Sequence, residues 1–247
     1  PGHFVRIKAW KRSYDPLLPR PFAIFETDGE SSFTILFKVQ PALGDPLSPF
    51  SPGGKGTHFL KNLSVQAKVD IDGPHGNPFP TYRKKRVCLV AGGVGIAPLY
   101  FYAQQLREND CEVVVFYGVA RQSDLVVLED LKRVSHRVFV SVEESGMEQG
   151  HLYYGQRVTD LFQTLGRREN FEVILACGPK VMLKHLGKLC EELFPSAEVY
   201  LSFEAMMACG RGLCLGCVVP RQGRGHFKIC LEGPALPARE VDLDRLD

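Results

Sequence analysis

Long apolar runs are missing from this sequence. No stretch of about 18 apolar residues occurs, so a membrane-spanning helix is not expected. Charge of one sign is missing too: 30 Lys and Arg stand against 28 Asp and Glu, a net of +2, which argues against nucleic acid as the main partner. Pro1-Gly2-His3-Phe4-Val5-Arg6 lacks the apolar stretch of a signal peptide, and the expected compartment is the reducing cytoplasm. Internal repeats and low-complexity tracts are absent. With 45% hydrophobic and 23% charged residues the chain is not globally disordered, and 247 residues are more than one ordinary domain and fewer than three. A core of that size needs no disulfide staples.

Cysteine, by contrast, is plentiful: eight residues, unevenly spread. Cys88, Cys111, Cys177 and Cys190 are scattered. Cys209, Cys214, Cys217 and Cys230 sit together, with four, two and twelve residues between successive members. This is the plant-type [2Fe–2S] spacing, in which a tight loop brings three thiolates to a cluster and a distant residue supplies the fourth. Gly210, Gly212 and Gly216 let backbone N–H groups approach the sulfurs. Zinc is the rival metal, but zinc sites usually use two C-x2-C pairs and only one short pair is present. Four buried free thiols at this spacing are a weaker reading. Cys88, Cys111 and Cys190 read as core or surface residues.

The first 80 or so residues read as short strands punctuated by Gly and Pro: 4–10, 23–26, 33–39 and 64–71. They suggest an antiparallel β-barrel. Residues 41–54, rich in Pro, Gly and Ser, read as a surface loop. Asp72-Gly73-Pro74-His75-Gly76-Asn77 reads as a sharp turn, with His75 a turn or surface residue rather than a ligand, and Arg83-Lys84-Lys85-Arg86 as a solvated linker in preference to a phosphate-contacting run. From residue 87 apolar strands (87–91, 112–117, 138–142, 173–176, 198–201) alternate with helices (97–109, 123–134, 156–165, 179–193), the pattern of βαβ units on a parallel sheet.

Gly92-Gly93-Val94-Gly95-Ile96-Ala97-Pro98 lies between a strand and a helix, where backbone amides can face a pyrophosphate. A tight turn with no ligand carries equal weight, because the spacing departs from G-x-G-x-x-G. Gly118-Val119-Ala120-Arg121, Glu143-Glu144-Ser145-Gly146 and Cys177-Gly178-Pro179 follow three later strands, where open α/β sheets place ligand residues. Arg121 reads as a 2′-phosphate ligand, an adenine-stacking residue or a surface arginine. Arg20-Pro21-Phe22-Ala23 offers a cation and an aromatic to a phosphate-bearing ring ligand. Gly53-Gly54-Lys55-Gly56-Thr57 reads as a second phosphate cradle with Thr57 at or near a helix N-cap.

Together these motifs resemble the ferredoxin–NADP reductase superfamily, and within it the electron-transfer subunits of class 1B dihydroorotate dehydrogenase. The most specific part is Ser202-Phe203-Glu204-Ala205-Met206-Met207-Ala208-Cys209-Gly210-Arg211-Gly212-Leu213-Cys214-Leu215-Gly216-Cys217, continued at Cys230-Leu231-Glu232-Gly233-Pro234. The resemblance implies a multidomain chain: an FAD-binding antiparallel β-barrel (1–83), an α/β parallel-sheet domain binding NAD(H) (84–201) and a small [2Fe–2S] domain (202–247). It implies that Arg20 holds FAD phosphate, that Pro21, Phe22 and Ala23 line the flavin, and that Gly54, Lys55, Gly56 and Thr57 face the FAD pyrophosphate. Gly92, Gly93, Gly95 and Pro98 would border the dinucleotide, with Cys177 and Gly178 beside nicotinamide.

Cys177 is the one candidate catalytic side chain, set against a small buried residue at a strand end. The sequence departs from the family at Ala23, where Ser is usual, and residues 41–53 look inserted. The implied activity passes electrons between NAD and a catalytic, dihydroorotate dehydrogenase-like flavoprotein subunit in a hetero-oligomer, in pyrimidine biosynthesis. The alternatives are a reductase subunit of an electron-bifurcating transhydrogenase or a sulfur-reducing hydrogenase, and a zinc-stabilised binding module without flavin.

Overall fold

The computed structural model describes residues 1–11, 15–39, 54–147, 150 and 152–246. The 41–53 segment, expected to be an inserted loop, lies outside the described residues. β1 (Phe4–Lys8) runs antiparallel to β2 (Arg20–Ala23), while β3 (Glu26–Thr27) and β4 (Phe33–Thr34) form a separate ribbon. After α1 (Lys55–Lys61), β5 (Asp70–His75) returns to the other side of β1. Among the described residues these strands make an open three-stranded sheet and a two-stranded ribbon, not a closed barrel.

Two strand expectations are corrected here. The alternation across 64–71 is not a strand at its start: Val65 is 94% exposed and Gln66 has φ +68° in a turn. Pairing begins only at Asp70, and His75 belongs to this strand rather than to a surface turn, with its side chain 12% exposed. Pairing in the 33–39 stretch stops after Thr34.

The second region is a seven-stranded sheet. Its strands are β6 (Arg86–Gly92), then, after α2 (Ile96–Glu108), β7 (Glu112–Val119), then, after α3 (Leu128–Val134), β8 (Arg137–Val142) and β9 (Leu152–Tyr154). Following α4 (Val158–Leu161) come β10 (Val173–Cys177), α5 (Lys180–Leu193) and β11 (Glu198–Ser202). With β14 (Ala235–Pro237) at one edge, the order is β14-β11-β10-β6-β7-β8-β9, and every pair from β11 to β9 is parallel.

Burial alternates with the strand period of two. Val87, Leu89 and Ala91 of β6 pack on Leu99, Leu106 and Leu131 of α2 and α3. Cys88 and Val90 face the opposite layer, with Leu161, Leu183 and Leu186 of α4 and α5. Helices on both faces explain why these strands read as continuous apolar runs. The expected helix at 123–134 is a 3-10 turn (Gln122–Asp124) followed by α3, and that at 156–165 is α4 continued by a π-helical turn (Phe162–Gly166).

The basic run before β6 is pinned rather than a free linker. Lys85 Nζ donates to Glu172 Oε1 at 2.5 Å, and Arg86 pairs with Glu112 at 3.1 Å and with Glu169 at 2.5 Å.

The C-terminal region does not hang free. β12 (Val218–Pro220) pairs with β13 (His226–Lys228), α6 (Ile229–Glu232) follows, and β14 (Ala235–Pro237) adds antiparallel to β11. Phe203, Phe227, Ile229 and Leu246 share one core with β10 and α5. No helix among the described residues is long and apolar enough to cross a membrane.

Candidate functional site

The cysteine loop runs from the end of β11 to β12, and Cys230 projects from α6. Left-handed backbone at Gly210 (φ +65°), Gly212 (φ +71°) and Leu215 (φ +57°) coils it tightly. The coil aims N–H groups at sulfur: those of Arg211, Leu213 and Cys214 donate to Cys209 Sγ at 3.4, 3.3 and 3.4 Å, and Gly212 N donates to Cys230 Sγ at 3.1 Å. These donors hold the Cys209 thiol down to about 6. Burial, reinforced by the neighbouring Cys217, pushes Cys230 up to about 11.

Each thiol acts on a neighbour, Cys214 on Cys209 and Cys217 on Cys230, which groups the four as two pairs. Among the described residues no three His, Cys, Asp or Glu side chains gather about one ion position. Two thiolate pairs fit a two-iron cluster, with two sulfurs per iron, better than one tetrahedral ion.

Two cavities joined by a third form a trench. The first, about 850 Å³, is walled by β2, residues 15–19, the start of α1, Cys177 and residues 202–207. The second, about 550 Å³, opens at the C-terminal ends of β6, β7 and β8, where ligands bind in open parallel sheets. A space of about 210 Å³ connects them: it shares Arg20, Pro21, Phe22, Ala23 and Gly54 with the first, and Leu36, Phe37, Lys38 and Val94 with the second. Met206 and Met207 line the first cavity, only three and two residues before Cys209. The trench therefore ends against the cysteine loop.

Comparison with known proteins decides the family. Residues 89–188 match the oxidoreductase NAD-binding domain family, and residues 204–242 match the iron–sulfur cluster binding domain of dihydroorotate dehydrogenase B. The chain is 34% identical over 249 residues to the dihydroorotate dehydrogenase B (NAD(+)) electron transfer subunit of Bacillus caldolyticus, covering 98% of this chain and 87% of the relative. It is 32% identical to that of Clostridium acetobutylicum, covering 99% and 87%. The chain belongs to this family of electron transfer subunits. Among solved structures, that of an NADH-dependent reduced ferredoxin-NADP oxidoreductase, described for flavin-based electron bifurcation, superposes with a TM-score of 0.79 at 28% identity over 100% of this chain and 80% of the other. The chain is thus multidomain, with an α/β NAD-binding domain and an iron–sulfur domain.

In this family member the residues singled out in the sequence fall into three groups. Arg20, Pro21, Phe22, Ala23, Gly54, Lys55, Pro98 and Cys177 converge on the first cavity. Gly56 and Thr57 reach the connecting space, and Gly92 and Gly93 line the second cavity. Gly95, Gly178 and Arg121 line none of these. Gly95 and Gly178 are packing glycines: a Cβ on Gly95 would lie 2.2 Å from Cys177 O, and one on Gly178 would lie 2.7 Å from Met182 Cε. Arg121 is exposed and off the cavity.

The region expected to cradle phosphate holds a buried cation, Lys55, and a half-buried one, Arg20. Lys55 Nζ pairs with Asp15 Oδ2 at 2.5 Å. Arg20 lies over the Trp10 ring at 5.7 Å and against Gly56, whose Cβ would stand 2.9 Å from Arg20 Cγ. Thr57 is not the N-cap. Gly54 takes that place with φ +70°, and Thr57 Oγ1 donates back to Gly54 O at 3.0 Å. Burial pushes the Cys177 thiol far up, so it stays protonated at neutral pH and acts as a small neutral wall.

Three lining residues were missed in the sequence. Lys38 spans to Asp124 at 3.0 Å, joining the N-terminal region to the nucleotide cavity. Arg157 lines the same cavity just after β9, a strand not read in the sequence. Glu204 lines both the first cavity and the connecting space, and its signal was legible: a charged residue directly beyond a buried strand end.

Desolvation by surrounding protein raises the Glu204 carboxyl. A carboxyl raised on folding binds more protons folded than unfolded, so its effect on stability worsens as pH rises from the unfolded value through the folded one. Glu204→Gln removes that effect. Because Glu204 is exposed the gain is small: its melting midpoint should exceed the wild type's by no more than about 1 °C at pH 8, and the gain should shrink near pH ~4. Thermal scans across pH measure it; a gain independent of pH would refute the assignment.

Proposed function

We propose that the chain is the electron-transfer subunit that links NAD to a catalytic dihydroorotate dehydrogenase-like flavoprotein in pyrimidine biosynthesis, within a cytoplasmic hetero-oligomer. The carrying observation is the continuous trench from the C-terminal ends of the parallel strands to the wall formed by Met206 and Met207, which abuts the cysteine loop. Bound there, nicotinamide and FAD exchange electrons in pairs, whereas the [2Fe–2S] cluster exchanges them singly.

The division into 1–83, 84–201 and 202–247 follows this chemistry, with β1, β2 and β5 supplying strands of a barrel-type FAD unit. Arg20 and Lys55 bring cations to the FAD phosphates beside the Gly54, Gly56 and Thr57 turn. Pro21, Phe22, Ala23, Pro98 and Cys177 wall the flavin ring without titrating at neutral pH. Gly92 and Gly93 admit the dinucleotide backbone, while Gly95 and Gly178 hold the floor beneath it. The relatives' use of NAD(+) supports NAD over NADP, and Glu143 in the nucleotide cavity fits an unphosphorylated ribose. Cys209, Cys214, Cys217 and Cys230 hold the cluster. Exposed Met206, Leu213, Leu215 and Leu231 around it support a partner docking at that face.

Cys214→Ser tests the reading. The variant should lose the cluster's absorption and all partner-linked electron transfer, yet keep FAD and NADH–dye reductase activity. Colourless wild-type protein containing zinc would end the proposal. Co-purification of the wild type with a hydrogenase or a glutamate-synthase-like subunit, instead of a dihydroorotate-oxidising flavoprotein, would redirect it to the bifurcating or sulfur-reducing class.

A further inference from the structure

Arg6 is an unusual residue to find buried. It lies on β1, opposite Asp72 of β5, and its side chain is only 8% exposed. Nη2 is ion-paired with Asp72 Oδ2, and His75 Nε2 stands 3.2 Å from the same oxygen. Nη1 donates to Ala208 O at 2.5 Å, across 202 residues of chain. Nε is buried with no hydrogen-bond partner among the described residues. A guanidinium left partly unsatisfied in the interior is costly, and a simple surface ion pair would not require it.

The guanidinium lies against the cysteine loop. A Cβ on Gly210 would stand 2.8 Å from both Arg6 Cζ and Nε, and 3.2 Å from His75 Cε1. Only glycine admits this approach, and the φ of +65° at that residue favours glycine as well. Arg6 therefore touches the residues immediately before and after Cys209. Asp72 holds Nη2 and is partly open to solvent, while Nη1 and Nε lie against Ala208 and Gly210 of the loop.

We infer that Arg6 is a positioning residue whose buried charge raises the one-electron potential of the metal centre, and that Asp72 sets how much of that charge the centre feels. Adding an electron puts one more negative charge on the centre, with no bond made or broken. A fixed cation beside it stabilises the reduced form more than the oxidised one. The same residue fixes geometry, because β1 is also the neighbour of β2, with Arg6 opposite Pro21 in the wall of the first cavity. One strand thus holds the cysteine loop and the proposed flavin wall in a fixed relation.

The inference rests on the four cysteines being cluster ligands, and iron and sulfide content tests that separately: a wild type without a cluster defeats the proposed function itself. In cluster-replete holoprotein, EPR-monitored redox titration should show Arg6→Gln shifting the equilibrium about tenfold toward the oxidised centre, 59 mV lower for one electron. Arg6→Lys keeps the charge and should recover most of that shift. Asp72→Asn uncovers the guanidinium and should move the potential the opposite way, about threefold. If Arg6→Gln fails to fold or loses iron, Asp72→Asn decides alone. An unmoved or lowered potential in Asp72→Asn overturns the inference, as does a lysine variant that behaves like the glutamine one.

Discussion

Alanine at Gly95 is expected to abolish most NADH-linked activity while leaving the metal centre intact. The obstacle is space, not conformation, since Gly95 has φ −58°, which any residue adopts. Its Cβ would lie 2.2 Å from Cys177 O, 2.5 Å from Cys177 C and 2.9 Å from Gly178 N. These are backbone atoms at the end of a fully buried parallel strand, so no rotamer change relieves the clash. Either the end of β10 or the Gly93–Gly95 turn must move.

Both walls matter, because Gly93 and Val94 line the nucleotide cavity and Cys177 lines the cavity beside it. Overpacking of this kind costs about 1–3 kcal/mol or somewhat more. At roughly 2–4 °C per kcal/mol for a chain of this size, the melting midpoint should fall by about 2–12 °C. Displacing the nicotinamide from the flavin by about 1 Å should lower kcat/KM for NADH by roughly 100-fold. Steady-state dye reduction and a thermal scan measure both, with the EPR signal of the centre as the control. Wild-type kinetics in a folded Gly95→Ala protein would show that the two walls do not set the hydride geometry.

The parallel sheet was legible in the sequence because its strands are buried on both faces. Such strands declare themselves as apolar runs such as Val87-Cys88-Leu89-Val90-Ala91, with helices of matching period between them. The cysteine loop was legible for a different reason: ligand spacing is a local property of the chain. What escaped was non-local or small. The strand pattern at 64–71 alternates correctly, yet Val65 is exposed and the real strand carries Asp70, Asp72, Gly73 and Pro74. Its pairing comes from β1, not from its own β propensity.

β14 has three residues and two of them are Ala and Pro, so nothing in it announces a strand until β11 lies beside it. Arg6 occupies a position that period-two reading assigns to solvent, and it is buried by β5 and by the cysteine loop, 202 residues away. Arg121 stands at a strand end, exposed and outside the three cavities, whereas Arg157 lines the nucleotide cavity from a part of the chain whose strand was not legible.

That arrangement of β14 leads to the other large effect: removing the metal centre should loosen the loop without releasing the chain end. Cys217 and Cys230 are 3% and 2% exposed, inside the core that holds Phe203, Val219 and Ile229. Cys214 is exposed and Cys209 half-buried, so backbone N–H groups, the Arg6 guanidinium at Ala208 and Gly210, and the bound cluster fasten that part of the loop. Beyond it, β14 is hydrogen-bonded to β11, and Leu243 packs on Gly187 of α5, where a Cβ would lie 2.7 Å from Leu243 Cδ1.

Metal-binding energy at such a site is folding energy for the loop it organises. Cys217→Ser should therefore lose the centre completely and make the bond after the exposed Arg211 a fast tryptic site, cut at least ~10-fold sooner, since each ~1.4 kcal/mol of lost local stability is tenfold in the open population. The fragment after the cut should stay bound to the sheet through β14 and Leu243. Limited proteolysis followed by gel filtration reads both outcomes. Dissociation of that fragment would mean that the cluster, and not the β11–β14 ladder, holds the C-terminal region in place.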